Sequence, residues 1–451
     1  MFRLDPSLPK SRGVEAAIRT AILDGALPPG ARLPSTRDLA AELGVARNTV
    51  VSAIEELTAE GVLRARARNG TFVARDLPTP IGPPRPSGTR PAEFDLRPGH
   101  PEQDSFPTAR WLAATRRAAA ATPMRRNPSG GAGADQLRAQ LASYLARARG
   151  VTTTPDSIVI CSGFRGACTV LAAALSLAGV STIGIEDPSL PQIDFPWRGA
   201  GFAVHDIPVD EAGAVVEHVG EVGVVLVTPS HQFPLGGALS PTRRHQLCDW
   251  ARRGDRYIIE DDYDGEFRYD RRPVAALQRS APECVIYVGS TSKTLDPALR
   301  IGWLVLPPDL VEPVVAASDA LTGGAPLLPQ LALAELIARG DYERHIRHQR
   351  REYARRRVHV REAMRSIGID LSGLDAGLHA VIPLMPPAPP VVDDDEGGSA
   401  SIAVHGLARY TRSAERPAAL VAGFGTPART RFRPAIAALV DFLTGSDPLT
   451  T

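Results

Sequence analysis

Two kinds of hydrophobic patterning divide the chain. Between residues 14 and 60, apolar positions recur at helical spacing and predict helices over roughly 14–24, 35–43 and 47–60. Ser35 with Asp38 makes a capping-box-like start for the second helix, and Gly44 suits a left-handed ending. On the third, Val50, Ile54 and Leu57 share one face, while Arg47, Asn48 and Thr49 open the helix with polar groups. Only a few residues separate these two helices, the spacing of a helix-turn-helix. Residues 63–73 then predict a hairpin through Asn69-Gly70, with Arg64, Arg66 and Arg68 alternating on one face.

From about residue 93 the pattern becomes short β-branched runs alternating with Ala/Leu-rich helical stretches, the mark of an α/β domain on a mostly parallel sheet. Five apolar runs end in polar or glycine-bearing tails: SIVICSGFRG (157–166), TIGIEDPS (182–189), VVLVTPSHQFP (224–234), RYIIEDDYD (256–264) and VIYVGSTSK (285–293). Between the two regions, residues 77–91 hold six prolines and read as a semi-stiff extended linker. The division predicted is a DNA-binding-type unit over 1–75, a linker over 76–92 and an α/β unit over 93–451, with a smaller α+β part towards its end. The acidic, proline-rich stretch at 386–401 reads as a solvated loop.

Composition narrows the functional classes. With 451 residues, 43% hydrophobic and 22% charged, the chain is a multidomain globular protein rather than a disordered one. The most apolar stretch, 167–180, is broken by Thr169 and Ser176 and falls short of a membrane span. MFRLDPSLPKSR lacks the apolar core of a secretory signal. Cys161, Cys168, Cys248 and Cys284 form no CxxC pair and no metal-ligand spacing, which predicts no metal and fits a reducing, cytoplasmic setting. A net charge of +1 makes any nucleic-acid contact a local matter. Among 51 basic residues only Lys10 and Lys293 are lysines, so lysine chemistry in the body of the chain has one candidate.

The third helix reads as a recognition helix, its polar N-terminus meeting the major groove of double-stranded DNA. The arginine ladder suits phosphates or the minor groove, although taken alone it equally describes a solvated basic hairpin. Over residues 12–75 the segment resembles the winged helix-turn-helix of the GntR regulators, in LPPGARLPS, LPSTRDLA and the wing NGTFV. That resemblance implies operator contacts from Arg37, Arg47, Asn48 and Thr49, with Arg68, Asn69 and Gly70 at the wing tip; Arg66 joins the DNA-facing set as part of the arginine ladder. One departure is Ala46, where the family usually has a Ser or Thr as helix cap.

In open α/β sheets ligands bind beyond the carboxyl ends of the strands, so the five tails should converge. Ser162-Gly163-Phe164-Arg165 leads straight into a helix, whose free N–H groups suit a phosphate. Asp261 can face a protonated ring nitrogen, Tyr263 offers a phenol, and Ser290, Ser292 and Lys293 form SxSK, followed by Arg300. A dianion site, an amine that captures an aldehyde and an acidic partner for a pyridine nitrogen are the demands of pyridoxal 5'-phosphate. Singly, each is weak: an Asp at a strand end is more often a cap or an ion pair.

Residues 93–451 resemble the fold-type-I aminotransferase module of the MocR regulators in TPSHQFPLG, IIEDDYDGEFRY and VIYVGSTSKTLDPALRIGWLVLP. The resemblance implies that Lys293 bonds the cofactor covalently and Asp261 pairs with its ring nitrogen. Tyr263 would meet the ring hydroxyl, and Ser290, Ser292 and Arg300 would hold phosphate. It also exposes departures. Leu190 stands where an aromatic usually stacks on the cofactor, and Phe164 where a serine usually cradles phosphate, leaving backbone N–H groups of Gly163 and Phe164 and the Arg165 side chain. Phe233 replaces an Asn, with His231 as a polar substitute. Val421 replaces the arginine that grips a substrate carboxylate, for which Arg409 and Arg412 are candidates. Three readings follow: a regulator that senses pyridoxal phosphate, alone or with an amino-acid effector; an aminotransferase with an accessory DNA-binding domain; and a regulator that has lost the cofactor. A homodimer is implied in each.

Overall fold

The computed structural model describes residues 2, 4–5, 8–66, 70–74, 92–102, 104–121, 130–269, 274–371, 373–384, 402–413 and 416–445. Most of the proline-rich linker, the stretch at 386–401, and Arg68 and Asn69 lie outside them. The chain separates into two compact units, Met1–Gly88 and Thr89–Thr451.

The smaller unit contains α1 (Lys10–Leu23), α2 (Thr36–Leu43), α3 (Arg47–Ala59) and the antiparallel strands β1 (Leu63–Arg66) and β2 (Gly70–Val73). Helix α1 starts four residues before the predicted point, because Lys10 to Gly13 carry no apolar periodicity and take their helical form without it. The α2 start follows the sequence pattern: the Asp38 amide donates to Ser35 Oγ at 3.2 Å, and Gly44 closes the helix at φ 64°. Val14, Ile18, Leu39, Val50 and Leu57 have no exposed surface and form the core with Leu63 and Val73 of the hairpin.

In the larger unit β3 (Phe94–Asp95), α4 (Thr108–Ala121) and α5 (Asp135–Arg149) precede the alternating region. That region runs β4 (Ile158–Cys161), α6 (Gly163–Leu177), β5 (Thr182–Asp187), α7 (Phe195–Gly199), β6 (Ala203–Asp210), β7 (Gly213–Ala214), β8 (Val224–Val227), α8 (Pro241–Arg253), β9 (Tyr257–Asp261), β10 (Val285–Ser290) and β11 (Gly302–Val305). Among the described residues these strands form one eight-stranded sheet in the order β4-β11-β10-β9-β8-β5-β6-β7. The centre from β10 to β6 is parallel, while β11 and β7 run antiparallel to their neighbours.

Both faces of the central strands are covered, which is why β4, β8, β10 and β11 are continuous buried runs, whereas β6 towards one edge alternates. Along β4, Ile158 and Ile160 enter a core with α4, α5 and α10 (Leu327–Ala338), whereas Val159 and Cys161 enter another with α6 and α9 (Pro308–Thr322). The long helix α11 (Asp341–Ser366) then leads to a smaller layer, in which β12 (His379–Pro383), β14 (His405–Gly406) and β15 (Ala419–Gly423) form an antiparallel sheet. There β13 (Ile402–Ala403) pairs with β3, and α12 (Phe432–Thr444) packs into the same core. Among the described residues no helix is long and apolar enough to cross a membrane, and no cluster of ligating side chains could hold a metal. All four cysteines are buried and unpaired.

Candidate functional site

The tails of the central strands meet at a cavity of about 420 Å³. Strand β4 turns through Ser162 into α6, whose first residue, Gly163, has a φ of 72°. Ser162 gives the helix no side-chain cap, so its first N–H groups face the site without a competing acceptor from that residue. Close passage of β11 requires glycine as well: a Cβ at Gly302 would lie 3.0 Å from the Gly163 backbone. That approach brings Arg300, itself left-handed at φ 52°, beside the helix start. Ser290 and Ser292 line the same end of the cavity, and the Ser292 amide points at Ser290 Oγ at 3.4 Å.

Lys293 lies in the turn after β10 and donates from Nζ to the Gly99 carbonyl at 2.5 Å. Burial lowers the pKa of this amine from its usual 10.5, against an opposing pull from Asp264 and Asp261. Asp261 at the end of β9 is pushed well above the carboxylate range, chiefly by burial and by neighbouring Asp262, with Lys293 pulling it down. Among the described residues the Asp261 carboxylate accepts no hydrogen bond. Glu186 at the end of β5 is pushed up to about 7 by burial, although Thr228 and Gln232 donate to it.

Tyr263 is held from behind. Its hydroxyl meets His231 Nδ1 at 2.9 Å, and the same nitrogen meets Asp264 Oδ2 at 2.8 Å. His231 is therefore not a lining residue, as the sequence suggested, but the support that fixes the Tyr263 ring. Burial raises the Tyr263 pKa, which keeps the phenol protonated as a donor.

The cavity gathers Gly163, Phe164, Arg165, Asp261, Tyr263, Ser290, Ser292, Lys293 and Arg300 from the sequence-derived set. Phe164 and Leu190 line it while packing against the α6–α9 core, and Arg165 donates to the Pro191 carbonyl at 3.1 Å. Val421 has no exposed surface and belongs to an apolar cluster on which Phe233 packs. Of the two arginines considered as its replacement, Arg409 lines the cavity. Arg412 does not, because its guanidinium is committed to Asp206 at 2.7 Å, to Ser189 and to backbone carbonyls of β5. Sequence reasoning missed Gly99, His100, Gln192, His405 and Tyr410, which also line the site.

In the smaller unit, Arg37, Arg47 and Asn48 are exposed and Thr49 is half-buried. Ala46 leaves α3 without a side-chain cap. Arg47 Nε donates to Thr36 Oγ1 at 3.2 Å, tying the start of α3 to the start of α2. Arg66 lies over the Phe72 ring at 5.1 Å, opposite Gly70 at the end of the hairpin.

Residues 10–73 match the family of bacterial regulatory proteins of the gntR type, and residues 94–401 match aminotransferase class I and II. The chain is 32% identical to the HTH-type pyridoxine biosynthesis transcriptional regulator PdxR of Corynebacterium glutamicum, covering 94% of both chains. It is 34% identical to the probable rhizopine catabolism regulatory protein MocR of Rhizobium meliloti, over 84% of this chain and 82% of that one. In fold it resembles the kynurenine aminotransferase of Pyrococcus horikoshii, with a TM-score of 0.67 at 21% identity over 79% of this chain and 92% of that one. The chain thus belongs to the MocR-type transcriptional regulators, which join a GntR helix-turn-helix domain to a fold-type-I aminotransferase domain.

Proposed function

We propose that this regulator binds pyridoxal 5'-phosphate in the cavity at Lys293 and reads its presence out as altered binding of operator DNA. The observation that carries this reading is the pairing of the larger unit's single lysine with a buried carboxylate, Asp261, that accepts no hydrogen bond among the described residues. A protonated pyridine nitrogen is the donor such a carboxylate lacks. The residues present fit the group. The α6 N-terminus, Ser290, Ser292 and Arg300 would hold its phosphate, Tyr263 its ring hydroxyl, and Lys293 its aldehyde carbon. When bound, the cofactor supplies an electrophilic aldehyde on an electron-withdrawing ring. The PdxR relative, named as a regulator of pyridoxine biosynthesis, supports the cofactor itself as the signal.

Efficient transamination needs a substrate carboxylate gripped and the cofactor ring clamped, since placement supplies several kcal/mol of barrier reduction. Val421, Phe233 and Leu190 leave both functions without their usual groups, which favours a sensor over a working aminotransferase. The protein acts as a cytoplasmic homodimer, with the helix α3 residues and the hairpin arginines meeting DNA. Titration of pyridoxal phosphate into the full chain, followed by the visible spectrum and by gel shift on operator DNA, tests this reading. A visible band that tracks a change in DNA affinity supports it; cofactor binding without any change in DNA affinity overturns it.

A further inference from the structure

A second cavity, of about 500 Å³, shares no lining residue with the first. It forms where the last turn of α5, residues 265–269 and the first turns of α11 meet. Glu343, Arg347 and Arg350 stand at i, i+4 and i+7 on α11, so one helical face presents them together. Arg147 and Arg268 complete a wall in which guanidinium groups outnumber the carboxylates of Glu266 and Glu343.

The partners of these groups divide them into structural and available. Arg149, also at this wall, is closed off by Asp262, which it meets through Nε at 2.6 Å and Nη2 at 2.9 Å. Arg350 uses Nε on the Glu266 carbonyl, at 2.7 Å, and Arg147 one nitrogen on Glu343, at 3.1 Å. Among the described residues, Arg347 has neither a hydrogen-bond nor an ion-pair partner for its guanidinium. On a convex surface such arginines would be separated and screened by water. In a hollow they repel, and low-dielectric walls focus the positive field inward. The guanidinium fork matches carboxylate and phosphate oxygens in pairs.

We propose that this cavity is a binding site for a small doubly charged oxyanion, a phosphate or a dicarboxylate, distinct from the cofactor cavity. Its occupant would touch a segment that the first site also uses. Arg149 joins Asp262, the neighbour of Asp261, and Ser230, the neighbour of His231. Tyr269 reaches Gly377, which lies against His231 and Asp264. An anion drawn to Arg347 and Arg350 therefore loads the backbone that carries Tyr263 and its support.

The inference does not rest on the cofactor reading. Isothermal titration of the full chain with inorganic phosphate, glycerol phosphate and succinate tests it. Saturable binding of at least one is expected, weakened tenfold or more in Arg347→Ala and in Arg350→Ala, partly kept in Arg347→Lys, and unchanged in Lys293→Ala. Arg347 is exposed and its guanidinium has no hydrogen-bond or ion-pair partner among the described residues, so its variants should melt like the parent. Binding of phosphate and glycerol phosphate without succinate identifies a phosphate site, and binding of succinate a dicarboxylate site. Absence of saturable binding by all three overturns the proposal. So does binding indifferent to Arg347 and Arg350, which would assign the anion to the cofactor cradle.

Discussion

Phe233 packs onto the apolar cluster that buries Val421, and its ring also meets Tyr410 edge-on at 5.3 Å and His379 at 5.1 Å. Two positions where the aminotransferase pattern has polar groups thus belong here to one hydrophobic cluster. Reversing one of them alone should not restore a substrate grip. Val421→Arg would bury a cation among Leu407, Tyr410 and Ala419, a cluster without a carboxylate, at roughly 3 kcal/mol or more. The expected result is a lower melting temperature and no gain in transamination across a panel of amino donors and 2-oxo acids. Rapid turnover by the parent protein would contradict the sensor reading.

Cofactor capture should depend on Lys293 and on pH. Lys293→Ala is expected to remove both the visible band and borohydride trapping, since Lys10 lies in the other unit. Only the neutral amine attacks a carbonyl. Because burial lowers the Lys293 pKa below 10.5, the trapped fraction should rise with pH at a lower midpoint than for a free lysine. Asp264 pulls that pKa up, so Asp264→Asn should move the midpoint lower still. Stopped-flow absorbance across pH 6–10 reads both shifts.

On DNA, Arg47 and Arg66 should fail differently. Arg47 keeps its two terminal nitrogens beyond the bond to Thr36, enough for a base-edge fork, and Arg47→Ala should cost on the order of 1–3 kcal/mol at a specific site. If Arg66 meets only phosphate, Arg66→Ala should weaken all sequences alike and reduce the salt slope by about 1. Gel-shift titrations at several salt concentrations separate the two, and an unchanged operator affinity for Arg47→Ala would remove α3 as the reading element.

The uncapped start of α3 offers a gain. Ala46→Ser places a hydroxyl where Ser35 already serves α2, and should stabilise the smaller unit by about 1 kcal/mol. A thermal melt that resolves this unit checks the gain; no upward shift would mean the hydroxyl fails to reach the α3 amides.

The convergence of the site was legible because each contributing strand is a closed apolar run followed at once by polar residues. Sheet order then brings Gly163, Asp261 and Lys293 together however far apart they are in sequence. What escaped were groups whose placement is decided by packing across long separations. Gly99 reaches Lys293 over 194 positions, and no local pattern marks it. Arg409 and Arg412 look alike in sequence, yet Asp206 and Ser189 claim only the second. His231 likewise reads as a ligand from its position near Pro234, but burial against Gly377 turns it into the support for Tyr263.

The hydrogen bond from Lys293 to the Gly99 carbonyl puts the amine to a use with which capture of an aldehyde would compete. A nitrogen bonded to an aldehyde carbon retains at most one hydrogen, whereas the free ammonium has three to share. Residues 98–100 lie just beyond Leu96, whose amide and carbonyl pair with Ala403 and Gly423 in the smaller layer. Under the function proposed above, an occupant bonded at Nζ would therefore loosen a clasp on the opening segment of the larger unit, and capture would be felt first at Gly99.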